Sequence, residues 1–283
     1  MSKLMNIQWP ALMGLALMSG VSFATGPFNG IHPLQSDRFS IGLGGYGPDI
    51  SGYYAIDNPD GDDGNHIDVD DDAGLDGNDI MPSLGIHWRL SNNTRIQGEY
   101  FNVDESSRKT VTHPIDIGDL EFDVGASLKT DLSMDVVRAF WGYSFVKNDT
   151  TELGTGLGLH YINLDISAAG SAHAGDIEAA PEWAKRSIHG SAVLPNIGGY
   201  ANYAFSPKWL VGGRVDWISA NIEDYDGTLW NVQASIQYQM FDHFGVGLAY
   251  RYLDFQLAAN SSSGDWETEL EYSGPVLFFT ANF

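Results

Sequence analysis

Eight residues on the wet side of alternating segments carry the sequence's densest chemistry: His87, Arg89, Glu99, Arg138, His160, Arg214, Asp216 and Arg251, with Gln97 on the same side. Such a set suits a carboxylate site working by acid and base, a charged ring selecting ions in a pore, or a salt-bridged plug. A small barrel is filled by its own side chains and buried charges must pair, so the plug is expected. Wide aqueous channels belong to barrels of about 16 strands.

Residues 57–79 hold ten aspartates, among them Asp57, Asp60, Asp62, Asp63, Asp68 and Asp70. That oxygen density could hold Ca²⁺ or Mg²⁺ loosely and bridge to lipopolysaccharide, although it lacks EF-hand order. Gly64 stands where a third ligand belongs and no Glu falls at the twelfth position. A solvated acidic loop is the expectation, with no tightly bound cofactor. His66, His113, His173 and His189 lie in or beside long links, where a surface protease or lipid hydrolase would place its site. No GxSxG, HExxH or P-loop spacing occurs, and the paired-Asp and His-Asp motifs of omptin-like proteases are not matched. An enzyme is therefore not expected; a surface hydrolase of proteins, lipid A or phospholipid stands as an alternative. Cysteine is absent, which removes thiol catalysis and disulfides.

The elements that position these residues follow from parity. In 229–241, Trp230, Val232, Ala234, Ile236, Tyr238 and Met240 alternate with Asn231, Gln233, Ser235, Gln237 and Gln239. Side chains alternate faces along a strand, so this is a lipid-facing row beside a wet row. The same test gives ten strands, near 38–56, 66–90, 94–104, 120–146, 151–167, 193–205, 209–222, 228–241, 244–258 and 267–283, with eight or twelve open. Short turn-rich links at 91–93, 147–150, 206–208 and 242–243 alternate with long ones near 57–65, 105–119, 168–192, 223–227 and 259–266. That is the pattern of an antiparallel up-and-down transmembrane barrel with both ends in the periplasm. Residues 176–186, D-I-E-A-A-P-E-W-A-K-R, are expected to form a short helix in the third long link.

Several strands also change polarity partway without an insertion. In 120–146 the even row Phe122, Val124, Ala126, Leu128, Leu132, Met134 and Val136 is apolar; from Val137 onward the odd row Ala139, Trp141, Tyr143 and Phe145 takes over. A barrel extended above the bilayer, with an apolar upper core and a narrow or plugged lumen, explains such switches together.

The N-terminus has one charge, Lys3, then an apolar run from Leu12 to Phe23 and a small-x-small exit at Ser22 and Ala24, the marks of an export signal cut after Ala24. Residues 1–24 are thus expected to be removed after Sec-type export, 25–37 to lie in the periplasm and 38–283 to form one barrel domain. Losing Lys3 takes the net charge from −23 to −24, which disfavours nucleic acid as a partner.

The closing S-G-P-V-L-F-F-T-A-N-F, with Phe279, Ala281 and Phe283 as its marker residues, resembles the C-terminal signature strand of Gram-negative outer-membrane barrels. With I-D-V-D-D-D-A-G-L-D at 67–76 and Gly142-Tyr143-Ser144-Phe145, it looks like uncharacterised proteobacterial outer-membrane barrels of the small OmpA/OmpW-like kind. The resemblance implies fold and outer-membrane location, and contact with lipid, lipopolysaccharide and the barrel assembly machinery. It supplies no catalytic residues. The expectation is a monomer with a surface-structural or interaction role; a porin-like channel for ions or small solutes is the alternative.

Overall fold

Lipid offers no hydrogen-bond partner, so a strand between lipid-facing residues must be paired on both edges, which closes the sheet on itself. The computed structural model describes residues 30–56, 67–75, 77, 79–117, 120–174, 182–222, 225–259 and 266–283. It contains α1 (Pro33–Ser36), β1 (Phe39–Tyr46), β2 (Asp49–Ile56), β3 (Ile67–Asp68), β4 (Met81–Arg89), β5 (Thr94–Thr110), β6 (Ile115–Ile117), β7 (Leu120–Phe122) and β8 (Ser127–Lys147). Then follow β9 (Thr151–Ala174), β10 (Glu182–Ser206), β11 (Trp209–Ile222), β12 (Tyr225–Gln239), β13 (Phe244–Ala259) and β14 (Trp266–Asn282).

Around the wall the order is β1, β4, β5, β8, β9, β10, β11, β12, β13, β14 and back to β1, a closed antiparallel barrel of ten staves. β2 prolongs the first stave, since Tyr46↔Val276 and Asp49↔Ser273 share one register on β14. Gly52 lets it run so close: its φ is +125°, and a Cβ there would stand 2.0 Å from the Glu269 carbonyl oxygen.

Five expectations need correction. The link at 105–119 is shorter, because β5 runs to Thr110 against Ser127 of β8. The link at 168–192 is mostly strand, since Glu182↔Ala172 already pairs β10 with β9. Residues 182–186 of the expected helix lie in that ladder; 176–181 fall outside the described residues. An ordered sheet edge offers each backbone group a partner, which outweighs helix propensity in a stretch too short to hold a helix by itself. Among the described residues of 66–90 only β3 and β4 are strand, because Asp68 caps a turn over 69–73. Finally, 120–146 breaks at Gly125, φ +91°, leaving Phe122 buried in the short β7 while Val124 points to solvent at 62 % exposure.

From 128 to 144 every even side chain of β8 is buried, whatever its polarity. The interior face therefore never changes; the surroundings do. Outward, the row Tyr100↔Val137↔Tyr161↔Val193 is apolar and the next row up, Asn102↔Asp135↔Asn163↔Ser191, is polar. Inward, Glu99↔Arg138↔His160 gives way to Phe101↔Val136↔Ile162 at the same height. Across the barrel Val232↔Tyr252↔Ser273 is followed by Trp230↔Asp254↔Glu271, and inside Gln233↔Arg251 by Leu229↔Phe255 after one mixed pair. Both faces invert at one plane. Below it the wall is apolar outside; above it Tyr54, Phe122, Met134, Leu164, Phe255 and Leu270 belong to a buried core like that of a water-soluble barrel. Aromatic pairs Trp209–Tyr238 and Trp217–Trp230 mark the lower and upper edges of the lipid belt, at ring separations of 4.7 and 6.0 Å.

Leu270 is fully buried in the upper core. Leu270→Ala is expected to cost about 2–5 kcal/mol in denaturant unfolding of the micelle-embedded protein. The outward Leu277→Ala, facing lipid, should change the midpoint far less.

Candidate functional site

The interior face of the lipid-spanning half carries two charged layers. In the upper one, strand pairing sets Glu99, Arg138 and His160 side by side on β5, β8 and β9, facing Arg214, Gln233 and Arg251 on β11, β12 and β13. Arg138 holds Asp216 with two bonds, Nε to Oδ2 at 2.5 Å and a terminal nitrogen to Oδ1 at 2.9 Å. Arg214 also donates to Asp216 at 3.0 Å and, with Arg251, to Glu99. Three guanidiniums thus share two carboxylates. The surplus cation is placed where aromatic faces help: Arg251 lies 4.9 Å from the Tyr46 ring and 4.6 Å from that of Phe101, and Arg138 4.6 Å from that of Phe140. Arginine suits such sites because its planar, weakly hydrated head stacks while pairing.

His160, fully buried, sits between two amides, with Nδ1 3.2 Å from Asn196 Oδ1 and Nε2 accepting from Asn231 Nδ2 at 3.0 Å. This arrangement puts its proton on Nδ1 and leaves a neutral ring as a structural bridge.

The lower layer centres on Glu152, which parity counting missed. Its two oxygens accept from Arg89 at 2.9 Å each, and Ser144 adds a bond at 2.5 Å. Arg95 approaches to 3.6 Å and stacks on Tyr200, 3.2 Å from the ring centre. Arg95 and Glu152 share the inward parity of Glu99 and His160; the signal was present but lay one or two residues from the turns. Below them α1 lies at the short-turn end of the barrel, held by Arg89 to the Leu34 carbonyl at 3.1 Å and by Lys147 to Gln35 at 2.7 Å. A cavity of about 190 Å³ is lined by Leu34 of α1, by His87, Gln97 and Gln237, and by Arg95 and Arg214 from the two layers.

All eight lumen residues expected from sequence thus face inward, in two layers. The acidic loop does not join them. Asp68 turns its carboxylate onto the N–H groups of Asp70 and Asp71, at 2.9 and 2.7 Å, and Lys109 donates to the carbonyls of Asp70 and Asp71. Asp57, Asp60, Asp62 and Asp63 lie outside the described residues. Among the described residues no three carboxylate or imidazole groups converge as a metal site would require. The outer histidines are dispersed: His113 stands 3.4 Å from Asp72, His189 pairs with Asp165 on the outer wall, His173 lies in β9, and His66 is outside the described residues. Phe279 projects into the lipid belt and Ala281 pairs with both Ile41 and Phe244, while Phe283 exchanges backbone bonds with Phe39 and stacks on His243.

No family model matches the chain, and no curated protein does. Solved structures do. The outer-membrane protease OmpT from Escherichia coli superposes with a TM-score of 0.57 over 87 % of this chain and 97 % of its own, at 11 % identity. The Pseudomonas putida toluene transporter TodX gives 0.37 over 91 % of each chain at 10 % identity. The Yersinia pestis attachment invasion locus protein Ail gives 0.31 over 86 % of this chain and 98 % of its own, at 12 %. The likeness to OmpT establishes the fold class, a ten-stave barrel of the outer-membrane kind, and no more than that.

Removing the charge of Asp216 strands Arg138 in the interior. Asp216→Asn is expected to cost about 3–5 kcal/mol in denaturant unfolding, and the double change Arg138→Met with Asp216→Leu markedly less. Above the membrane, partial burial and then the neighbours Glu269 and Glu271 raise the Asp254 carboxyl pKa. A raised carboxyl destabilises the fold as pH climbs through its unfolded and then its folded pKa. Asp254→Asn should therefore stabilise the protein at neutral pH and lose that advantage in acid, as thermal midpoints across pH would show.

Proposed function

We propose that the protein is a monomeric outer-membrane barrel with a surface-structural or interaction role and a closed lumen. One observation carries this: the charged upper layer lies directly beneath an apolar, dry core in which Phe101, Val136, Ile162, Leu253 and Phe255 are almost fully buried. An ion crossing the layer of Phe101, Val136 and Ile162 would shed its hydration against apolar side chains that cannot replace it. At the short-turn end α1 is tied to Arg89 and Lys147.

In this reading the chain is exported through its N-terminal signal, inserted by the barrel assembly machinery through the strand ending at Phe283, and surrounded by lipid and lipopolysaccharide. Its rim of Asp254, Glu267, Glu269 and Glu271 would meet lipopolysaccharide through loosely held Ca²⁺ or Mg²⁺. It needs no cofactor and binds no nucleic acid. The proteolysis named for OmpT is not carried over.

Planar-bilayer recording of the refolded protein tests the closed lumen. No stable conductance is expected from the wild type. A stable, ion-selective conductance abolished by replacing Arg138 or Arg214 would establish the channel reading instead.

A further inference from the structure

The lumen of the lipid-spanning half does not balance its charge. Five guanidiniums, Arg89, Arg95, Arg138, Arg214 and Arg251, face it together with three carboxylates, Glu99, Glu152 and Asp216. Lys147 adds a further cation at the lower rim, 3.9 Å from Glu152. The chain as a whole carries a net charge of −23, so this interior surplus runs against the rest of the molecule. Arginine cannot shed the surplus by losing a proton, as a buried lysine or histidine would. The rings of Tyr46, Phe101, Phe140 and Tyr200 attract the cations but do not neutralise them. A surplus of buried positive charge calls for a counter-anion.

The structure has a place for one. The cavity of about 190 Å³ is lined by Arg95, Arg138, Arg214 and Arg251, four of the five. It exists because the inward rows of β1 and β4 are bare there. Gly42 follows the buried Ser40 in the inward row of β1 and pairs with Gly85, which stands between Ser83 and His87 in that of β4. A Cβ on Gly85 would meet nothing within 4 Å, and one on Gly42 nothing nearer than 3.8 Å. Around the same space Gln97, Ser235 and Gln237 are half-buried, and their side chains make no hydrogen bond among the described residues. Two amides and a hydroxyl therefore offer donors beside the surplus cations. Water could accept from them, but water brings no negative charge. Glu99 also lines the cavity, and its carboxylate is already shared by Arg214 and Arg251.

Size and donors narrow the ion. The cavity is several times the roughly 30 Å³ that a water molecule takes up in the liquid, more than a halide fills. Guanidinium forks match the oxygen geometry of tetrahedral oxyanions. We propose that the cavity binds one small inorganic oxyanion of the phosphate or sulfate kind, held by the four arginines around it, with Gln97, Ser235 and Gln237 donating to its oxygens. The inference rests on the charged layers facing the lumen, and not on that lumen being closed to ions.

Equilibrium dialysis of the refolded, micelle-embedded protein against radiolabelled inorganic phosphate and, separately, sulfate tests it. The label is present from refolding onward, so that entry does not limit binding, and gluconate keeps the ionic strength constant. The wild type should bind one ion per chain saturably with at least one of the two probes. Gly85→Leu, which fills the cavity and leaves every charge in place, should abolish that binding; Gly42→Val serves the same purpose, with heat-modifiable gel mobility confirming which variant folds. Arg95→Met leaves Glu152 with Arg89 and should weaken binding about tenfold, the range of one charged hydrogen bond. Absence of saturable binding of both probes by the wild type would mean that water alone fills the cavity, and overturns the inference. Binding undiminished in a folded cavity-filling variant, or by Arg95→Met, would put the ion elsewhere on the protein and overturns it equally.

Discussion

A strand in fixed register cannot change which side chains face inward, and the rest of this structure depends on that constraint. On β8 the inward row runs from Leu128 to Ser144 without interruption, so the protein could accommodate two environments only by changing the residue types along each row. It does so on both faces at one height. Below, lipid requires an apolar exterior, and the narrow interior is left to polar groups; above, water requires a polar exterior and the interior becomes an ordinary hydrophobic core.

The charged layers follow from the lower half of this arrangement. Ten staves enclose too little space for bulk water, so the polar interior must satisfy itself. Glu99 shared by two arginines, Asp216 gripped by Arg138, and Glu152 gripped by Arg89 do this with bidentate or bridged bonds, and aromatic rings from the core base cover the surplus positive charge. The layers therefore form a bonded floor beneath the core. α1 adds to it from below, its Leu34 and Gln35 carbonyls accepting from Arg89 and Lys147.

Parity made the barrel, its strand number and the inward charges legible from sequence, because each depends only on which residues alternate. It was silent wherever partners rather than faces decide. The upper halves of β9 and β10 read as a link because Ala168–Ala174 and Glu182–Arg186 are weakly patterned, and only their mutual ladder makes them strand. Val124 fell in an apolar row by spacing, yet Gly125 breaks the chain beside it. Arg95 and Glu152 were missed beside turns. The end of the β10–β11 ladder at Ile197↔Trp217 has no counterpart in the alternation of either strand, since hydrophobic spacing does not reveal where a ladder ends.

The inversion plane can be tested directly, because the chain has no cysteine to remove before labels are introduced. Single spin labels at Ser133, Asp135, Val137 and Ala139, all on the outward row of β8, report whether each site is reached by oxygen dissolved in lipid or by a water-borne nickel complex. If both faces invert between Val137 and Asp135, labels at 137 and 139 should favour oxygen, and those at 135 and 133 the nickel complex. Oxygen preference continuing through 135 and 133, or a gradual change along all four, would contradict a single plane of inversion.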